Sequence, residues 1–225
     1  MNNTTKEAQV EKQTAAAEEM EAINRYTLRE LSAEEVFTFR LAACDNQVDR
    51  DNERFSDRTL EELAQLYPGK PVLLDHTWSA KDQTARVYGA HVEEDGVRAG
   101  VKRLILRCYI PRLNSTQRAI EAIETGLRKE CSVGCAVKRN LCSICGEDYY
   151  GSCMLHIRGE VYDGKTCHIV LDGAEDAYEV SMVAVPAQRE AGVVKSGEPR
   201  ENRDWMTGAN ARLALEKVRF GALRR

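Results

Sequence analysis

"DAYEVSMVAVPAQREAGV" (176–193) sets one carboxylate, Glu179, at the head of an apolar run from Val180 to Val185 that stops at Pro186. Its β-branched content reads as a core strand over 178–187. One natural use of a carboxylate entering such a strand is to accept the N–H of an imidazole and fix that ring's tautomer and orientation. The competing reading is a strand-edge charge facing water, with Glu175 or Asp176 nearby able to substitute.

Five other stretches carry strand character: "EVFTFRLAAC" (35–44), "KPVLLDH" (70–76), "ARVYGAHVEE" (85–94), "GVKRLILRCYI" (100–110) and "KECSVGCAVKR" (129–139). Two helices interrupt them. Ser56 caps "DRTLEELAQLY", where Leu60, Leu63, Leu66 and Tyr67 recur at helical spacing and Pro68-Gly69 ends the segment. Asn114 or Ser115 caps "TQRAIEAIETG", with Ile120 and Ile123 on one face and Gly126 as terminator. The pattern is a mostly β (α+β) domain over 31–195. Residues 1–30 are polar, with Val10, Met20 and Ile23 too sparse for a strong stripe, and read as a helical extension outside the core. Residues 196–225 read as a polar linker and a basic helical tail carrying Leu213, Leu215, Val218 and Leu223.

A chain of 225 residues has room for one full domain plus extensions. No apolar run approaches the roughly 20 residues that cross a bilayer, and no basic-then-apolar leader opens the sequence, so an intracellular protein with no membrane partner is expected. A net charge of −4, 36 acids against 32 bases, does not imply an anionic polymer as the main partner and does not exclude nucleic acid. Eight cysteines without a leader point to reduced thiols and a metal site rather than to disulfides.

Candidate chemistry begins at His76, which follows "PVLLD" where a strand end can deliver a side chain to a cleft while its backbone stays fixed, with Trp78 placed to shelter it from water. In "CSVGCAV" (131–137), Ser132 stands among small and apolar residues two positions before Gly134. A glycine there admits a carbonyl-bearing substrate, and its N–H is an oxyanion-hole candidate. A serine nucleophile needs a base within hydrogen-bond reach, and His76 is the best one available. The bland alternatives are a histidine bonded to Asp75 or Trp78 and a small strand serine; no G-x-S-x-G surrounds Ser132. His91 competes with Glu179 and Asp176 for the third place, but its neighbours Glu93, Glu94 and Asp95 suggest an exposed hairpin.

In order, D-x-x-x-D-R (45–50), "ERF" (53–55), a helix, "PGKPVLLDH" (68–76), the serine of "CSVG" and "YEVSMVAVPAQREAGV" (178–193) make residues 35–195 resemble the caudoviral prohead maturation proteases, whose fold is similar to herpesvirus assemblin. The resemblance implies a closed or nearly closed β-barrel with flanking helices. It implies a serine endopeptidase in which His76 is general base, Ser132 nucleophile and Glu179 the third residue, where the assemblin branch has a second histidine. It further implies action on capsid and scaffold proteins, and on itself, inside the assembling procapsid in the host cytoplasm, with self-association. No cofactor is implied for catalysis, and nucleic acid is not an expected partner.

One segment departs from that family's pattern. "CSICGEDYYGSCMLH" (142–156) places Cys142-x2-Cys145 seven residues before Cys153-x2-His156, a spacing and donor set suited to tetrahedral zinc. Cys167 and His168 are alternative ligands. Four protein ligands leave no open position, so the ion is expected to be structural and to fold a 140–170 insertion too small for its own core. Asp45, Asp49, Asp51 and Glu53 lack the EF-hand glycine and distal glutamate and read as a solvated loop. Two rival functions follow from the same residues: a non-catalytic zinc module that binds nucleic acid or protein, for which Lys138 and Arg139 beside the cysteines speak, and an inactive head scaffold protein.

Overall fold

Strand-forming segments with one apolar face build a single eight-stranded sheet. The computed structural model of the chain describes residues 16–194. In chain order the elements are a helix over 16–24 (α1), β1 (Val36–Asp45), β2 (Glu53–Phe55), α2 (Asp57–Leu66), β3 (Pro71–Leu74), β4 (Ala85–Glu94), β5 (Lys102–Pro111), α3 (Gln117–Glu124) and β6 (Cys131–Cys142). A two-stranded hairpin, β7 (Val161–Tyr162) and β8 (Lys165–Thr166), precedes β9 (Ile169–Met182) and β10 (Gly192–Val194). The fold is mostly β with a few helices.

The strand order is β10-β1-β5-β4-β3-β9-β2, and β6 takes the other edge of β9. The long β9 therefore organises the site. β6 runs antiparallel along its whole length, from Cys131↔Met182 to Cys142↔Ile169. On the opposite edge β2 pairs in parallel with its start and β3 with its end. Between those two strands, β9 would leave backbone donors unpaired, and side chains of α2 take them: Gly173 N–H donates to Thr59 Oγ1 at 2.8 Å and Ala174 N–H to Glu62 Oε2 at 2.6 Å. Ser56 caps α2 by accepting from Thr59 N–H at 3.2 Å and donates its own proton to Asp172 Oδ1 at 2.8 Å.

The core lies between the sheet and α2 and α3. Leu41, Leu60, Leu63, Val87, Leu104, Leu106, Ile110, Ile120 and Val180 are all fully buried in it. Each such side chain contributes about 1.5–3 kcal/mol of transfer free energy. Among the described residues no closed barrel forms. The start of β6 touches β10 through a single bridge, Glu130↔Gly192, flanked by Val193 N–H donating to Lys129 O at 2.7 Å.

Several sequence expectations shift. The strand expected at 178–187 begins at Ile169 and ends at Met182, since Pro186 has no N–H for a ladder and Val185 is exposed. The second helix takes Thr116 as its N-cap, not Asn114 or Ser115. The N-terminal extension joins the fold rather than staying outside it: Ile23 of α1 is fully buried against Val36, Tyr88 and Tyr109, and Glu19 pairs with Arg107 at 3.0 Å. The expectations for residues 1–15 and for the tail from 196 lie outside the described residues.

Candidate active site and metal centre

β3 ends at Leu74, and the chain turns at once. Thr77 N–H donates to Leu74 O at 2.9 Å, and the two central residues of this turn, Asp75 and His76, both have positive φ, 48° and 54°. Two successive positive φ values mark a type I′ geometry, which glycine and asparagine favour. Aspartate tolerates it, whereas histidine there carries strain of order 1–3 kcal/mol that the surroundings must hold. The reward is position: His76 Nδ1 lies 2.8 Å from Glu179 Oε1.

Glu179 reaches the ring from β9, where its carboxylate is almost wholly buried. Gly134 explains how it fits. This glycine is opposite Glu179 on β6, and a Cβ built there would stand 2.1 Å from Glu179 Oε1. The absent side chain is thus the space that the carboxylate occupies, a role the sequence did not reveal when it marked Gly134 for its N–H. A bulge at Tyr178, unpaired between Ala177 and Glu179, adds local twist beside the carboxylate. From below, the Tyr67 hydroxyl lies 3.4 Å from Gly134 O and 3.3 Å from Glu179 O, tying both strands at this point.

Ser181 joins the group, though nothing in its sequence context marks it. Fully buried two residues beyond Glu179, it donates to Glu179 Oε2 at 2.5 Å and accepts the His76 backbone N–H at 3.0 Å. A carboxylate oxygen can only accept, so the ring presents Nδ1–H to Glu179 Oε1, which leaves Nε2 on the side of the ring away from the carboxylate.

Ser132 pairs with Ser181 across the β6–β9 ladder. Directly opposed residues share a face, as do residues two apart on one strand, so Ser132, Ser181, Glu179 and Gly134 all lie on one face of the sheet. Cys131, Val133, Cys135, Val180 and Met182 take the core face. His76 and Ser132 therefore flank the Glu179–Ser181 column from opposite sides. Among the described residues no hydrogen bond joins Ser132 Oγ to His76. The other candidates stay apart from this group: Asp176 pairs with Lys70 at 3.3 Å, and His91 Nε2 sits 3.3 Å from Glu93 on the exposed end of β4. Trp78 does not cover His76. It is 72% exposed and leans on Tyr178 with ring centroids 5.5 Å apart. With Pro71 and Leu73 the two rings wall an open groove of about 350 Å³ that reaches Glu179.

At the far end of β6 the 143–168 connection folds around sulfur. The ligand atoms of Cys142, Cys145, Cys153 and His156 all lie within 4.8 Å of one another, so these four could hold a metal ion. Cys145 Sγ is 3.7 Å from Cys153 Sγ, which is 3.6 Å from His156 Nδ1. Four donors around zinc at 2.3 Å would stand about 3.8 Å apart, so the spacing fits a tetrahedral ion. The backbone is shaped for it: Gly146 takes φ 78° after Cys145, and Ile144 N–H points at Cys142 Sγ at 3.5 Å. Burial pushes the Cys142 thiol up, but N–H donors from Cys145 and Ile144 outweigh it and bring it down to about 6, toward the thiolate that a metal needs. Cys167 Sγ lies 3.9 Å from Cys142 Sγ, while His168 turns to Arg54 and to the backbone of Thr166. The acidic side chains of 45–53 are engaged by the protein itself: Asp49 Oδ1 accepts from the N–H groups of Asp51 and Glu53, Asp45 pairs with Arg98 and Glu53 with Arg158.

No family model, curated protein or solved structure matches this chain. Function has to be argued from the two sites themselves.

Proposed function

We propose that the chain is a serine endopeptidase of the prohead maturation type, acting on scaffold and capsid proteins and on itself. The observation that carries this reading is the buried Glu179 carboxylate on His76 Nδ1, beside Ser132 on the same sheet face. A buried carboxylate bonded to an exposed imidazole orients a general base as acyl transfer requires, and Ser132 stands across β9 from that base.

In this reading Ser132 Oγ attacks the peptide carbonyl carbon while His76 Nε2 takes its proton, and Glu179 stabilises the imidazolium that forms. His76 then gives the proton to the departing amine, leaving an acyl-Ser132 ester. Water, deprotonated by the same Nε2, hydrolyses it. The Gly134 N–H remains a candidate for the oxyanion. In this reading the Ser132 Oγ–His76 Nε2 hydrogen bond forms with substrate bound, as catalytic hydrogen bonds often tighten only then. The Glu130↔Gly192 seam supports a nearly closed barrel of assemblin type, with β6 and β10 as its meeting edges.

The four-ligand cluster is assigned to structural zinc. Three thiols and an imidazole suit zinc, their ligand atoms lie within 4.8 Å of one another, and the ion would hold a 143–168 connection that has little core of its own. A binding module built on this knuckle is the second reading, and the exposed Tyr150, Met154, Leu155, Ile157 and Val161 on the insertion favour a protein partner for it.

Intact-mass spectrometry of the wild type and Ser132→Ala, each expressed alone and with its capsid and scaffold proteins, tests the proposal. Trimming of chain or partners in the wild type only is expected. Identical masses throughout, with partners present, would leave the binding reading in its place.

A further inference from the structure

We infer that Ser181 is the positioning residue of this site, its single hydroxyl fixing both the His76 turn and the Glu179 carboxylate; as a statement about catalysis this rests on the hydrolase reading above. The direction of each bond follows from elementary donor counting. A backbone N–H can only donate, so at 3.0 Å from His76 N the Ser181 oxygen accepts. Its one proton must then point elsewhere, and Glu179 Oε2 stands 2.5 Å away. The hydroxyl therefore passes a hydrogen bond from the strained turn to the carboxylate.

Two consequences make this more than packing. The His76 backbone adopts φ 54°, an uncommon conformation for a non-glycine residue, and among the described residues Ser181 Oγ is the acceptor that holds its N–H. The carboxylate in turn is held at both ends, Oε2 by Ser181 and Oε1 by the ring, so it cannot rotate away from Nδ1. Ser181 lies beneath His76 at zero exposure, between Ser132 on β6 and Leu73 on β3. It touches neither Nε2 nor any position a substrate could occupy, and acts through His76 and Glu179. Removing the hydroxyl leaves one buried acceptor and one turn N–H without partners, and the ring and the carboxylate are free to part.

The test compares full-length wild type, Ser181→Ala and Ser181→Cys. Cysteine leaves no void, being somewhat larger than serine, but is a weak donor and acceptor, so with alanine it brackets space filling and isolates the hydrogen bonding. Two readouts are used: the low-field proton NMR signal of His76 Nδ1–H, assigned by its loss in His76→Gln, and the rate at which a fluorophosphonate modifies Ser132. The signal is expected to vanish or move in both Ser181 variants, and modification to slow by roughly 10²-fold, the scale of a catalytic group misplaced by about 1 Å. A Ser181→Cys variant with wild-type signal and rate would overturn the proposal and leave Ser181 as filler. If the alanine variant does not fold, the cysteine variant decides alone. If the wild type is not modified at Ser132, the hydrolase reading falls, and the NMR signal still decides whether Ser181 holds His76.

Discussion

Gly134 and Glu179 occupy one space between them. A methyl group at Gly134 would stand 2.1 Å from Glu179 Oε1, so the carboxylate or the strand has to move. Gly134→Ala is expected to cost about 1–3 kcal/mol, the usual range for overpacking, and to abolish modification of Ser132. Thermal unfolding and fluorophosphonate labelling of the folded variant check both parts; unchanged labelling would mean that the carboxylate has another seat. Here the limits of sequence are physical. Glu179 was legible because a charge in an apolar strand demands a partner, and His76 because it ends a strand. Ser181 was not, since a serine among valines has the same cues whether it fills space or holds a carboxylate, and only the β3–β9–β6 register puts His76 N–H above it.

At the scale of elements, β6 and β9 carry the candidate active site near one end and the cysteine cluster at the other. Strands and helices were largely legible from periodicity: β4 matches its expected bounds, and α2 begins at its expected cap. The short β2, β7, β8 and β10 were not, because two or three residues hold no period and form through their neighbours. The insertion is closed at its base by bonds of 2.9 Å between Ser143 and His168 and tied to β2 by Arg158 on Glu53 at 2.5 Å. One zinc per chain is therefore expected by metal analysis, lost in Cys145→Ser and kept in Cys167→Ser. Chelation should open the 143–168 connection to trypsin at Arg158 and Lys165 while the sheet persists. Loss of metal in Cys167→Ser would instead place Cys167 among the ligands.

The α2 cap supplies a pH dependence. The Ser56 hydroxyl holds the Asp172 carboxyl below its ordinary value against the opposing effect of burial, and Arg139 adds to it. A folded value below the unfolded one means that this stabilisation is complete above the unfolded value, near 3.8, and drains away as pH falls through the folded one. Asp172→Asn should flatten the fall in stability below that pH, measured by denaturant midpoints; an unchanged slope would show that Asp172 does not contribute.

For the whole molecule, Glu130 just before β6 bridges Gly192 of β10, the strand at the far end of the sheet order, and among the described residues this single bridge closes no barrel. The mostly β class was readable because six strand segments and two helices each announced themselves, whereas closure depends on long-range pairings that no local pattern encodes. The same holds for the α1 packing: Ile23 is one apolar residue in a polar stretch, and only the surface formed by Tyr88 and Tyr109 gives it a place to bury. The central claim is that this scaffold presents Ser132 as an activated nucleophile. Intact-mass and peptide-mapping analysis of the full-length chain after fluorophosphonate treatment tests it most directly. A single adduct on Ser132 that disappears in His76→Ala and Glu179→Ala is the expected result; no adduct, or one on Ser132 that survives loss of His76, would contradict it.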